Sequence, residues 1–151
     1  MRGIRKSAGR CCVPIQSDDV CFNKGAIIER SIRRVHEEYA ADPDLKNYTH
    51  IDALTLNLER ACQAAIDWAM HLVARDHLGM PQSSADAFRV LAQAKYISDA
   101  SCRAMMAMTG FRNIAIHEYQ EMDMSVLHEI AKNGWRSLVI FASDLGITLH
   151  P

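Results

Sequence analysis

The sequence lacks the long apolar runs of membrane proteins and the paired cysteines of disulfide-rich or zinc-binding domains. No apolar run approaches the roughly 20 residues that cross a bilayer. The amino terminus, MRGIRKSAGRCCVPIQS, is basic but has no apolar core of a signal peptide. The five cysteines are an odd number without a CxxC motif, so we expect neither a disulfide framework nor a metal site. We therefore expect a cytoplasmic protein.

An excess of positive charge is also missing. The formal net charge is −1 at pH 7, whereas a protein that coats nucleic acid over its whole surface is basic overall. Any role in binding nucleic acid therefore has to rest on a local basic patch.

Helical periodicity is what the sequence does have. Alternating β-branched runs and Asn-Gly or Asp-Gly hairpin signals are missing, and apolar residues instead recur three or four positions apart. We predict an all-α, compact antiparallel bundle of about five helices in one domain over residues 18–148, preceded by a disordered extension over 1–17. The predicted helices run from about Asp19 to Ala40, from Thr49 to His77 before Gly79, from Ser83 or Ser84, from Ser98, and from Ser125 to just before Gly146.

The first predicted helix also carries many charged residues. Its apolar face is formed by residues such as Ile28, Ile32 and Val35. Arg30 and Arg34 belong to the remaining surface, which we interpret as a solvated face.

The densest polar chemistry lies in the stretch GFRNIAIHEY, which holds Arg112, Asn113, His117 and Tyr119. On an unbroken helix, positions 112 and 117 are about 140° apart around the axis, whereas 113 and 117 share a face. Asn113 could therefore orient the imidazole, and Arg112 would need to curl round unless the helix breaks. The alternative is that His117 packs near a helix end and Arg112 is an ordinary exposed cation.

GFRNIAIHEY closely resembles the motif of HEPN-domain ribonuclease toxins of the HepT type, in which an Arg-Asn pair is followed by His and then Tyr. NLERACQAAIDWAMHLVARDHLGMPQSSADAF, residues 57–88, is similar to the long central helix and following turn of that family. The resemblance covers roughly residues 18–145.

The resemblance implies a homodimer that cleaves RNA without a metal or other catalytic cofactor. It also implies a partner, a nucleotidyltransferase antitoxin of the MntA type, which uses ATP to transfer AMP to the motif tyrosine, here Tyr119. Attached nucleotides would add negative charge and bulk beside Arg112 and His117, and so exclude RNA.

The residue types fit that chemistry. His117 can act as a base or an acid near neutral pH, Arg112 offers a permanently charged donor fork to phosphate, and Asn113 is a positioning residue. One histidine cannot perform both proton transfers at once, so we hypothesise that two chains share a cleft across a two-fold axis. Two carboxylates of the second helix, Glu59 and Asp67, are candidates for steadying Arg112.

Two other classes of function remain open at this point. A non-catalytic HEPN module could use the same residues to bind nucleotide or a partner nucleotidyltransferase, which the slightly acidic net charge favours. A purely structural bundle would leave the motif without a purpose. Growth arrest on expression that depends on Arg112 and His117 would favour the toxin.

Overall fold

The computed structural model describes residues 12–117 and 122–151. Within these ranges the regular secondary structure is entirely helical, so the all-α prediction is confirmed. No helix in this part of the chain is both long and apolar enough to span a bilayer. The elements are α1 (Asp19–Ala41), α2 (Tyr48–Arg75), α3 (Ser84–Gln93), α4 (Asp99–His117), α5 (Met124–Glu129), a π-helical turn (Ile130–Gly134) and α6 (Arg136–Asp144).

Helices α1, α2, α3 and α5 begin after polar residues whose side chains cap free backbone N–H groups of the first turn. Asp18, for example, accepts a hydrogen bond from the backbone N–H of Cys21 at 3.0 Å. Asp18 and Ser83 lie within one residue of the predicted starts of their helices, whereas Asn47 and Asp123 lie two residues before the predicted starts of α2 and α5. The side-chain caps of α1, α2, α3 and α5 are Asp18, Asn47, Ser83 and Asp123.

The end of α2 differs from the prediction. The helix ends at Arg75, and the left-handed residue that follows is His77, with φ of 53°. The backbone N–H of Leu78 then donates to the carbonyl oxygen of Val73 at 3.0 Å, as in a helix-terminating Schellman turn. Gly79 therefore follows the turn and does not make it. From the sequence, Gly79 was a better candidate than His77 for ending the helix, because glycine reaches positive φ without steric cost.

The predicted fifth helix is divided by the π-helical turn. The backbone N–H of Trp135 donates to the carbonyl oxygen of Ile130, five residues earlier, at 3.0 Å. Leu127 and Leu138, on either side of the turn, are both fully buried. Apolar periodicity could not reveal the interruption because the buried positions continue on both sides of it.

The core is organised around α2, which packs against α1, α3, α4 and α6. Trp68 of α2 makes an edge-to-face contact with Phe141 of α6, with ring centroids 5.6 Å apart. Phe88 of α3 contacts the same phenylalanine at 5.5 Å. All three rings are fully buried, so this aromatic cluster fixes three helices around the centre of the domain.

The segment before α1 lies against the bundle from residue 12 onward. The backbone N–H of Val13 donates to the carbonyl oxygen of Lys95 at 2.7 Å. Arg75 donates to the carbonyl oxygen of Gln16 at 2.8 Å. Residues 1–11, most of the proposed disordered extension, lie outside the described residues, and that extension stays a prediction.

Candidate active site

The motif lies at the carboxyl-terminal end of α4. The helix continues without a break from Arg112 to His117, so the two positions differ by about 140° around one axis. Asn113 and position 117 share a face, as the spacing predicted. The side chain of His117 and the whole of Tyr119 lie outside the described residues, and their roles stay predictions.

Arg112 is half-buried, and the described residues use little of its hydrogen-bonding capacity. One Nη group donates to the side-chain oxygen of Asn113 at 3.3 Å. Nε is buried and has no hydrogen-bond partner among the described residues. A guanidinium has five N–H donors, so most of them remain available for an anionic ligand.

Helix α2 packs against α4 and carries Cys62, a residue on which the charge of Arg112 acts. Cys62 is buried there, and desolvation raises the pKa of its thiol to about 12. The positive charge of Arg112 opposes that rise, and the negative charge of Glu59 adds to it. Both charged groups therefore act on the same thiol. Because that thiol stays neutral, it does not cancel the charge of Arg112.

The second candidate carboxylate, Asp67, is engaged elsewhere. One of its oxygens pairs with the Lys24 ammonium at 3.1 Å, and the other accepts from Gln63 at 2.8 Å. Glu59 acts electrostatically on the same Cys62 thiol as Arg112, and its role in steadying Arg112 stays a prediction.

An apolar groove of about 550 Å³ lies beside the motif, between α4 and the α5 region. Ile114 and Val126 expose 42% and 44% of their surface, large fractions for apolar side chains. A Cβ atom added at Gly110 would meet no heavy atom within 4 Å, so α4 is openly accessible at that position. The lining includes Ala107, Met108, Gly110, Phe111, Ile114, Met122, Val126 and Ile130.

A second cluster of potential metal ligands lies far along α2 from the motif. Side-chain donor atoms of Asp18, Cys21 and His71 lie within 4.8 Å of one another. The carboxylate of Asp18 is already bound by His71 Nε2 at 2.7 Å and by Arg75 Nη1 at 3.0 Å. Burial also raises the pKa of the Cys21 thiol, which opposes its ionisation. Asp18 is therefore a helix-capping carboxylate whose ionic partner is the Arg75 guanidinium.

Sequence reasoning missed a second basic feature, between α1 and α2. Arg30 and Arg34 of α1 and Arg60 of α2 line one groove of about 520 Å³. The interpretation of Arg30 and Arg34 as a solvated face was incomplete. Their spacing of four residues places them on one side of α1, but only the packing of the two helices brings Arg60 beside them.

Comparison with known protein families identifies the family to which this chain belongs. The family model described as Ribonuclease HepT-like matches residues 28–145, a range that contains Arg112, Asn113, His117 and Tyr119. The chain belongs to the HepT-like ribonuclease family. This HepT-like chain is 38% identical over 117 residues to the mRNA nuclease HepT of Shewanella oneidensis. The match covers 77% of this chain and 88% of that protein.

Solved structures give the same result for the fold. One neighbour is a tri-AMPylated Shewanella oneidensis HEPN toxin in complex with its MNT antitoxin, with a TM-score of 0.81 and 34% identity. Another is a toxin–antitoxin complex with AMP-PNP, with a TM-score of 0.81 and 33% identity. Each match covers 85% of this HepT-like chain and 98% of the other. The helical architecture is therefore shared over nearly the full length of both neighbours.

Proposed function

We propose that this HepT-like protein is a toxin endoribonuclease that cleaves RNA without a metal at a site built on Arg112 and His117. Arg112 carries the proposal, because its side chain is half-buried on α4 while most of its donors remain unused by the described residues. The family match across the motif and the similarity to the mRNA nuclease HepT support the same activity.

The proposed reaction is an attack by the RNA on its own backbone. The ribose 2′-oxygen forms a bond to the adjacent phosphorus, and the bond from phosphorus to the 5′-oxygen of the next nucleotide breaks. A base takes the 2′-hydroxyl proton, and an acid gives a proton to the departing 5′-oxygen. The products are a 2′,3′-cyclic phosphate and a 5′-hydroxyl. Arg112 stabilises the negative charge that develops on the phosphoryl oxygens.

Two histidines are needed for the two proton transfers, and a two-fold homodimer supplies them. Within one chain, Arg112 and position 117 point in directions about 140° apart on an unbroken helix. The apolar groove beside the motif, with exposed Ile114 and Val126 and the open position at Gly110, offers a surface for a second copy. We therefore propose one cleft in which both chains contribute to catalysis.

The activity test uses purified protein free of its partner and of tyrosine modification. We expect RNA fragments with 2′,3′-cyclic phosphate ends, formed equally well with excess EDTA. Intact RNA under these conditions would contradict the nuclease proposal, and cleavage that stops in EDTA would contradict metal independence. Growth arrest on expression, lost in Arg112→Ala and His117→Ala, distinguishes the toxin from a non-catalytic binding module.

Sharing of the site is tested with a heterodimer of one wild-type chain and one His117→Ala chain. If each cut needs both histidines, the mixed dimer loses most of the activity of the wild-type dimer. Half or more of that activity would show that each chain works alone. A wild-type dimer assembled from two differently tagged chains is the control for the mixing procedure.

Regulation of the enzyme is proposed to occur at Tyr119. A nucleotidyltransferase antitoxin would transfer AMP from ATP to its hydroxyl, with loss of pyrophosphate, and block the cleft by charge and bulk. The AMPylated toxin and MNT antitoxin of the structural neighbour support this proposal.

Incubation with the antitoxin and ATP should raise the intact mass by one or more AMP units and stop RNA cleavage. Tyr119→Phe should gain no mass and stay active. If Tyr119→Phe were silenced by the same treatment, modification of this residue would not be the cause of neutralisation.

A further inference from the structure

The geometry points to an RNA-binding role for the arginine groove, which we define as the groove lined by Arg30, Arg34 and Arg60 between α1 and α2. We infer that it holds the phosphate backbone of single-stranded RNA whose cleavage site lies at Arg112. This inference rests on the proposed function, because it assigns the path of that enzyme's substrate.

The charge of the groove is local and largely unneutralised. Its other lining residues are Ile27, Ser31, Ala53, Leu56 and Asn57, so no carboxylate lines it. Arg30 and Arg60 are exposed and form no ion pair or hydrogen bond within the described ranges. Arg34 is paired with two glutamates of its own helix. In a chain whose net charge is −1, two unpaired guanidinium groups in one groove favour an anionic ligand.

The shape and lining suit a polynucleotide better than an isolated anion. The groove has about 520 Å³ of space, and Leu56 exposes 43% of its surface along one side. Guanidinium forks bind phosphate oxygens, while exposed apolar surface contacts sugars and bases. Asn57 lies on the floor, where its amide donates to the carbonyl oxygen of Ala53 at 2.8 Å.

Helix α2 connects this groove to the motif. Arg60 lies on the groove side, and the preceding residue, Glu59, is about 100° around the helix. Helix α4, which carries the motif, packs against α2, and Cys62, on whose thiol the charges of Glu59 and Arg112 both act, is about 160° around α2 from Arg60. A helix with its side chains is only about 10–12 Å across, so a strand of a few nucleotides can contact both sides.

The experiment compares two double variants in the His117→Ala background, which we expect to bind RNA without cutting it. Arg30→Gln/Arg60→Gln removes the unpaired charges of the groove. Arg33→Gln/Arg89→Gln removes the same number of charges from exposed arginines that pair with acids on their own helices and do not line the groove. Binding of a fluorescent single-stranded RNA is measured by anisotropy from low to physiological salt.

We expect the groove variant to bind RNA at least tenfold more weakly at physiological salt. Since each lost phosphate contact removes about 0.7 from the slope of log affinity against log salt, two contacts should reduce that slope by about 1.4. The control variant should keep the affinity and slope of the parent. Equal behaviour of the two variants would overturn the inference. A groove variant that changes the dimer mass in sedimentation, with RNA affinity intact, would also overturn it and assign the groove to subunit contact.

ATP serves as a second titrant because it carries the same phosphate chemistry without a polynucleotide chain. If the groove binds RNA, the groove variant and the control variant should have the same affinity for ATP. Equal losses of ATP and RNA affinity in the groove variant would instead identify a nucleotide site and overturn the assignment to RNA.

Cleavage by the same double variants with His117 intact separates this inference from the proposed function. We expect a KM raised about tenfold with an unchanged kcat, which removal of a binding contact remote from the reacting atoms produces. If the wild-type protein cleaves no RNA, the nuclease proposal fails and the binding measurements alone judge the groove. If it cleaves RNA and the groove variant matches the control, only the groove inference fails.

Discussion

Arg75 and Arg112 are both partly buried arginines of this bundle, but their surroundings differ completely. Arg75 binds the carboxylates of Asp18 and Asp76 and the carbonyl oxygen of Gln16, at distances of 2.7–3.0 Å. Among the described residues, Arg112 makes one hydrogen bond, to Asn113 at 3.3 Å, and its buried Nε has no partner. A fully paired cation stabilises a fold, whereas an unpaired one is ready to bind an anion.

The network around Arg75 explains why that end of the domain is structural. Asp18 caps α1 and pairs with His71 and Arg75 of α2, so one carboxylate connects the two longest helices. Tyr96, just after α3, donates to Asp76 at 2.7 Å and extends the network. By contrast, the motif end has an open apolar groove and exposed Ile114.

The largest effect should separate the two arginines directly. Arg112→Ala should lower the RNA cleavage rate by about 10²–10³-fold, the usual cost of losing one group that stabilises transition-state charge. Its thermal midpoint should stay close to that of the wild type, since few described contacts depend on the side chain. Arg75→Ala should show the reverse, with a lower midpoint and near-normal cleavage below it. A folded Arg75→Ala protein without activity would contradict the distinction.

A smaller effect should come from Asp18. Asp18→Ala removes both the cap of α1 and the two ionic contacts, so its thermal midpoint should fall by several degrees. Asp18→Asn keeps a good capping side chain but loses the charge, so its thermal midpoint should fall by less than that of Asp18→Ala. Thermal melts followed by circular dichroism give both values. Equal losses in the two variants would mean that the ionic contacts alone stabilise this end.

The smallest effect should appear in the acid range. The pKa of Asp18 lies well below its usual range, first because of the Cys21 backbone N–H and then because of His71. A depressed pKa contributes stability above the unfolded carboxylate pKa of about 3.9, and that contribution is lost as the pH falls toward the folded pKa. Urea midpoints of the wild type should therefore fall below about pH 4. The urea midpoint of Asp18→Asn should fall less over the same pH interval. The fall that remains comes in part from Asp76, whose pKa is also lowered.

Helix positions were the most predictable part of the fold. The predicted first helix, Asp19 to Ala40, is α1 to within one residue, and Gly146 follows the last helix with φ of 89°. Apolar periodicity and capping residues act within a few turns, so a local pattern reveals them. The His77 turn and the π-helical turn were not predictable, because neither follows from residue preferences alone.

The amino-acid sequence by itself determined the helical class, the approximate helix limits and the Arg-Asn-His-Tyr motif that resembles the HepT family. Only the tertiary structure decided which arginines are paired. It joined Arg75 to Asp18 across 57 residues, placed Arg60 beside Arg30, and left most donors of Arg112 without a described partner. The physical reason is that helix formation depends on neighbours three or four residues away, whereas ion pairing depends on how separate helices pack.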